Sequence, residues 1–139
     1  MDAAQALADL TEISSQIEAA VLADAEGAVL ASTFPDESRS RQLANAAQAL
    51  LAAAERVRAE GGQPLAQLEA STADGSVFVV RDAARVIAAT TSPQPTVGLV
   101  FYDLKSCLRA AAADGDDDGR PRPAPPAEEA ELEDDDDAT

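Results

Sequence analysis

Few side chains in this chain could do chemistry, and none stands in a catalytic pattern. The 139 residues include no histidine, which excludes an imidazole base, a histidine-dependent triad and a histidine metal ligand. The one cysteine, Cys107, rules out an internal disulfide framework and a cysteine-built zinc site. It falls near the apolar side of an expected helix with no basic neighbour in sequence, which suits a buried, inert thiol better than a nucleophile. Gly61-Gly62 follows a helical stretch instead of opening one, and no glycine-rich loop ends in Lys-Ser or Lys-Thr, so no phosphate cradle is present. Arg39 and Arg41, near the start of the longest helical stretch, have the chemistry of an arginine finger; the plainer account is solvated helix charges. Asp24 has a ligating carboxylate, but its place in a turn accounts for it. Asp134–Asp137 is an acidic run without the defined spacing of an oxygen-ligand loop. The reading is of a non-enzyme with no catalytic, cofactor-binding or metal-ligating residue and no cofactor.

Charge points the same way. The formal net charge is −16. Residues 114–139 hold 12 acidic and 2 basic side chains, against 14 and 8 in residues 1–113. Nucleic acid and anionic lipid need clustered Lys and Arg, so neither is an expected partner. The longest uncharged run, Val86–Tyr102, contains Pro93 and Pro95 and is short of a membrane span. With no positively charged start leading into an apolar core, no secretory signal is expected, and the expected location is the cytoplasm.

The elements that must position these side chains begin with Ile17–Ser32. Two apolar runs flank Asp24-Ala25-Glu26-Gly27, where Asp at the first position and Gly at the fourth suit a type I turn closing into a glycine bulge. Ala19, Val21 and Ala23 face one way and Ala20 and Leu22 the other. A strand apolar on both faces is usually covered on both. Before the hairpin, Asp2–Ser14 reads as a helix with Ala3, Ala6, Leu7, Leu10 and Ile13 on one side. After it, Thr33-Phe34-Pro35-Asp36 is a helix-start signal.

The helix from about Asp36 to Glu60 is the longest element, with Gly61-Gly62 as its stop. Leu43, Ala47, Leu50, Ala54 and Val57 fall on one narrow stripe. Leu51 and Ala44 extend it on one side, Ala46 and Ala53 on the other, while Arg41, Asn45, Gln48 and Glu55 are polar. This apolar arc is wider than the ~100° a helix needs to cover one surface. Either alanine was chosen for helix propensity, or the helix packs both on its own sheet and on a second copy.

Pro64–Ser71 is expected to be a strand, Thr72-Ala73-Asp74-Gly75 a hairpin turn, and Ser76–Arg81 and Arg85–Thr91 two buried strands joined by Asp82-Ala83-Ala84. Thr96–Ala113 is β-rich at Val97–Tyr102. Yet Val97, Val100, Phe101, Leu104, Leu108 and Ala111 share one helical stripe, and over this longer window periodicity favours a helix capped by Thr96 and stopped at Asp114-Gly115. Residues 1–113 then form one domain. Residues 114–139, with Leu132 as their one large apolar side chain, are expected to be a disordered acidic tail.

The order is helix, two strands, long helix, three strands, helix. The run Ala20-Val21-Leu22-Ala23-Asp24-Ala25-Glu26-Gly27-Ala28-Val29-Leu30-Ala31-Ser32, the long helix after Pro35, the Asp74-Gly75 hairpin and Leu99–Leu108 fall where the roadblock family, the dynein-light-chain type of domain, has its elements. From Ala4 to Ala112 the chain resembles that family. The resemblance implies an α+β fold, a five-stranded, antiparallel-rich sheet in the order 2-1-5-4-3. The long helix lies on one face and the other two helices on the other. It also implies a dimer, with itself or a roadblock paralogue, joined through the long helix and the neighbouring edge strand. On this chain that surface comprises Leu43, Ala46, Ala47, Leu50, Leu51, Ala54, Leu65 and Leu68. The implied function is a platform that binds and regulates, or scaffolds, a Ras-like small GTPase; Arg39, Arg41, Asn45 and Gln48 are the partner-binding candidates. Two other functions are a small-ligand sensor, poorly served by only four aromatic side chains, and an adaptor whose acidic tail binds a basic partner.

Overall fold

The Asp24 turn forms as its residues dictate. In the computed structural model, Asp24 Oδ1 accepts the backbone N–H groups of Glu26 at 3.0 Å and Ala28 at 2.9 Å. Gly27 takes φ 95° and donates to the Asp24 carbonyl at 3.0 Å. The pairing shifts register between Leu22 and Ala23, the bulge that this turn type brings. The turn joins β1 (Ile17–Asp24) to β2 (Val29–Ser32). Around this hairpin lie α1 (Ala3–Ile13), α2 (Glu37–Glu55), β3 (Gln67–Thr72), β4 (Gly75–Arg81), β5 (Arg85–Thr91) and α3 (Val97–Asp116). The structure describes residues 1–58, 62, 65–82 and 84–116.

The five strands make one sheet in the order β2-β1-β5-β4-β3, every neighbouring pair antiparallel. It is an α+β fold of the roadblock type, with the strand order that the resemblance implied. Central β1 and β5 are apolar on both faces and covered on both. One core joins Ala20, Leu22, Phe78, Val80, Ile87 and Ala89 to Leu7 and Leu10 of α1 and Val100, Leu104 and Leu108 of α3. Phe78 meets Phe101 edge-on, their ring centroids 5.0 Å apart. The other core sets Val21, Ala23, Val79, Val86 and Ala88 against Leu43, Ala44, Ala47 and Leu51 of α2.

Caps fix the helix starts. Asp2 accepts the Gln5 N–H at 2.8 Å and Asp36 the Ser38 N–H at 2.9 Å. The tight β3–β4 hairpin needs its glycine: Gly75 lies at φ 154°, and a Cβ there would stand 2.3 Å from the Thr91 carbonyl oxygen.

Several boundaries and faces differ from the sequence reading. Ile13 is 73% exposed, because α1 ends there and its last side chain lies beyond the α3 contact. The long helix stops at Glu55, capped by Arg56, five residues before Glu60; Val57, assigned to its apolar stripe, is 86% exposed. Gly61, half of the expected stop signal, lies outside the described residues, as does Pro64. The third strand starts at Gln67, so Leu65 precedes it. Thr96–Ala113 is helical, and the helix continues through Asp114-Gly115 to Asp116, where an apolar packing face on the preceding turns outweighs one glycine's propensity cost. Of the acidic tail expected over residues 114–139, residues 114–116 belong to this helix and the rest lies outside the described residues.

The largest difference concerns the rotation of α2. Its buried residues are Ser40, Leu43, Ala44, Ala47 and Leu51. Leu51, read as a flank, is 2% exposed and central; Leu50, read as mid-stripe, is only half-buried. Ser40 is the reason. Its hydroxyl bonds Ser32 Oγ at 2.6 Å and the Asp36 carbonyl at 3.2 Å, so a polar residue enters the buried row at no cost in unmade hydrogen bonds. The helix is thereby turned toward the row Ser40–Ala44–Ala47–Leu51.

Candidate functional site

That rotation leaves apolar surface uncovered on one side of α2. At about 100° per residue, Arg39, Leu43, Ala46 and Leu50 share the flank that faces β5 and β4. Arg39, Gln42, Leu43 and Ala46 line one wall of an open groove of about 550 Å³, with Glu18, Ala19, Phe34 and Thr90 opposite. The Arg39 guanidinium lies 5.8 Å from the centre of the Phe34 ring, within cation–π range, which holds the side chain along the groove. Leu50, Leu65, Leu68 and Val77 continue the same face, packed on the core on one side and partly exposed on the other. The surface ends at β3, whose strand neighbour among the described residues is β4. Six residues long and free of proline, β3 has a second edge that pairs with no strand among the described residues.

An ion cluster ties β3 to this helix. Glu55 accepts hydrogen bonds from the Arg58 and Arg81 guanidiniums and from the Leu65 N–H. The Arg81 Nε donates to the Leu65 carbonyl at 3.0 Å. The Arg58 and Arg81 guanidiniums hold the Glu55 carboxyl down at a pKa of about 2, well below the usual carboxylate range. The end of α2, the segment leading into β3 and the end of β4 are thus clamped through one carboxylate.

Among the described residues no group of His, Cys, Asp and Glu is placed to hold a metal ion, and no helix is long and apolar enough to cross a membrane. The Cys107 thiol is buried, and burial first, the Asp9 charge second, push it up to about 11. It is far from a thiolate at neutral pH.

The Roadblock/LC7 domain model matches residues 4–92. The chain belongs to the Roadblock/LC7 family. The match closes just after β5, so α3 lies beyond it. Comparison with curated protein sequences finds no match. Among solved structures, a Roadblock/LC7 domain from Streptomyces avermitilis is 16% identical with a TM-score of 0.73, over 81% of this chain and 97% of that one. The gliding protein MglB from Thermus thermophilus is 18% identical with a TM-score of 0.60, over 80% and 86%. A further MglB structure, described as a tetrameric arrangement, is 20% identical with a TM-score of 0.58, over 78% and 86%. At such identities the likeness is one of fold.

Within this roadblock fold the residues singled out from the sequence separate. Of the eight assigned to a dimer surface, Leu43, Ala47 and Leu51 are buried under α2 in the domain's own core. Ala46 is exposed, and Leu50, Ala54, Leu65 and Leu68 are half-buried. The four partner-binding candidates occupy three places. Arg39 is in the groove. Arg41 and Asn45 are exposed on the outer side of α2, where Arg41 pairs with Glu37 at 3.5 Å. Gln48 sits on the opposite flank, under the β1–β2 turn, where a Cβ on Gly27 would lie 3.5 Å from its Cγ. Missed altogether were the Glu55–Arg81 pair and the stacking of Arg39 on Phe34. The first joins residues 26 apart in sequence, which no local pattern encodes. The second was accessible, since Pro35 turns the chain directly between the two partners.

Proposed function

We propose that this roadblock domain is a non-catalytic interaction module that pairs with a second copy and binds a Ras-like small GTPase, which it regulates or scaffolds. One observation carries the reading: among the described residues, the α2 flank and the β3 edge leave partly exposed apolar side chains and a strand edge with no neighbour on the α2 side of the sheet. Ala46, Leu50, Leu65 and Leu68 supply the apolar part of this surface, and β3 its strand edge. A second copy placed against the same surface buries the leucines and pairs β3 with its counterpart; such self-complementary contacts are the commonest route to homodimers. The tetrameric arrangement described for one MglB of this fold is in keeping with a domain that associates with itself. The GTPase as partner rests on the roadblock resemblance.

In the proposed assembly the outer side of α2 stays free after pairing. Arg41 and Asn45 then carry the partner face, with Gln48 at its margin, while Arg39 is drawn into the dimer groove. An arginine stacked in that groove is not available as a finger, and Arg41 is an exposed helix charge paired with Glu37, so the reading favours an effect on hydrolysis through repositioning of groups the GTPase already has. Residues 1–113 suffice for both contacts, and residues 114–139 contribute to neither. The test uses the full chain and the Ras-like GTPase encoded nearest to it. Calorimetric binding to one nucleotide state of that GTPase, weakened at least tenfold by Arg41→Glu/Asn45→Arg and unchanged by removal of residues 117–139, is expected. Absence of binding in either nucleotide state would contradict the GTPase assignment while leaving the pairing surface untouched.

A further inference from the structure

A second cavity, of about 410 Å³, opens on the opposite flank of α2, between its C-terminal half and the ends of β1, β4 and β5. Gln48, Glu55, Arg81, Asp82 and Arg85 supply its polar groups, with Ala25 at the rim. The carboxylates of this cavity are committed elsewhere. Glu55 is taken up by Arg58, Arg81 and the Leu65 N–H. Asp82 Oδ1 accepts the backbone N–H groups of Ala84 at 2.9 Å and Arg85 at 2.8 Å, closing the β4–β5 turn. Arg81 is spent on Glu55 and the Leu65 carbonyl.

The donors are not all spent. Arg85 Nη1 and Gln48 Nε2 are both shielded from solvent, and among the described residues neither has a hydrogen-bond partner. A buried donor left unpaired is costly, and more so when charged. Both side chains are held in place. Arg85 opens β5 opposite Asp24 of β1, and the turn at Gly27 packs against the Gln48 side chain. Among the cavity's lining side chains the guanidiniums of Arg81 and Arg85 stand against the carboxylates of Glu55 and Asp82, equal in number. Both carboxylates already accept hydrogen bonds, whereas Arg85 Nη1 has no acceptor to donate to among the described residues.

We propose that this cavity binds a single carboxylate, with one ligand carboxyl accepting from both Arg85 Nη1 and Gln48 Nε2. A guanidinium and a primary amide on residues that line one cavity suit the two oxygens of a carboxylate. A monoanion brings one negative charge to the cavity, whereas a phosphate dianion would set two against the Glu55 and Asp82 carboxylates. The carboxylate can come from a free small acid or from an aspartate or glutamate side chain of a docked polypeptide. The proposal does not depend on dimerisation, and because Gln48 also stands at the margin of the proposed GTPase face, it is tested on the chain without a GTPase.

The test is an NMR titration of the full chain with sodium acetate and, separately, with N-acetyl-Gly-Glu-Gly-amide, against sodium chloride and sodium phosphate at matched ionic strength. The Gln48 side-chain amide and the Arg85 guanidinium are the reporters. Saturable shifts of both groups with acetate or the peptide are expected, absent with chloride and at least tenfold weaker with phosphate. Gln48→Leu and, separately, Arg85→Met should each raise the apparent dissociation constant at least tenfold. Should Arg85→Met fail to fold, Gln48→Leu alone decides. Binding of acetate but not peptide assigns the site to free acids, and tighter binding of the peptide assigns it to a docked chain. Shifts no larger than those with chloride, or shifts that survive Gln48→Leu, would overturn the proposal and leave two merely hydrated donors.

Discussion

Glu55 holds together three elements that share no sequence neighbourhood, and its titration should show in the protein's stability. Its folded pKa, about 2, lies below the ~4.3 of an unfolded glutamate. The depressed value means that the unfolded chain binds the proton more readily. The Glu55 contribution is therefore fully present above pH ~4.3 and lost as pH falls toward 2. Urea denaturation from pH 7 to pH 2 should show this as a steeper acid loss in the wild type than in Glu55→Gln, the two curves converging near pH 2. Parallel curves would mean that the clamp is not formed in solution. Gly75 offers a steric counterpart. Gly75→Ala forces a methyl to 2.3 Å from the Thr91 carbonyl at a φ of 154°, so a loss of more than the ~1 kcal/mol typical of a single substitution is expected in the same measurement. Asp24 and Gly75 could be assigned from sequence because their partners lie within a few residues. Glu55, Arg81, Arg85 and Gln48 could not, because their roles arise only when α2 crosses the ends of β4 and β5.

Among the elements, those with a strong local signal were legible: the Asp24 hairpin, β4, β5 and the helical reading of α3. The buried rotation of α2 was not, for a definite reason. Alanine offers nearly the same surface on every side of a helix, so its position cannot fix which stripe is inward, and the serine that marks the buried row looks polar until Ser32 is found beside it. Two substitutions on α2 separate the faces. Leu51→Ala, in the core, should cost ~2–5 kcal/mol of unfolding free energy by urea titration. Leu50→Ala, half-exposed, should cost the isolated domain clearly less. On α3, an added Cβ at Gly98 meets no atom within 4 Å. Gly98→Ala should therefore stabilise the domain by ~0.5–1 kcal/mol through helix propensity alone. A loss of stability there would mean that this exposed first turn meets something in the assembled protein.

For the whole molecule, the described residues close two cores with three helices and leave one face incomplete. The α1–α3 face is covered, whereas on the α2 side a single described helix lies over the five-stranded sheet and β3 has no second strand neighbour among the described residues. The roadblock fold, the α+β class and the strand order were legible as a pattern of elements. The division of the eight proposed interface residues into core and surface was not, since burial depends on the angle at which one helix lies. The reading of a pairing module rests on that incomplete face, and sedimentation equilibrium of the full chain and of Leu50→Glu tests it most directly. The wild type should sediment as a dimer at micromolar concentration. Leu50→Glu should sediment as a folded monomer with the wild-type far-ultraviolet spectrum, because its carboxylate stays in water unless a second copy covers it. A wild type that remains monomeric at high micromolar concentration, or a Leu50→Glu variant that dimerises undiminished, would contradict the account.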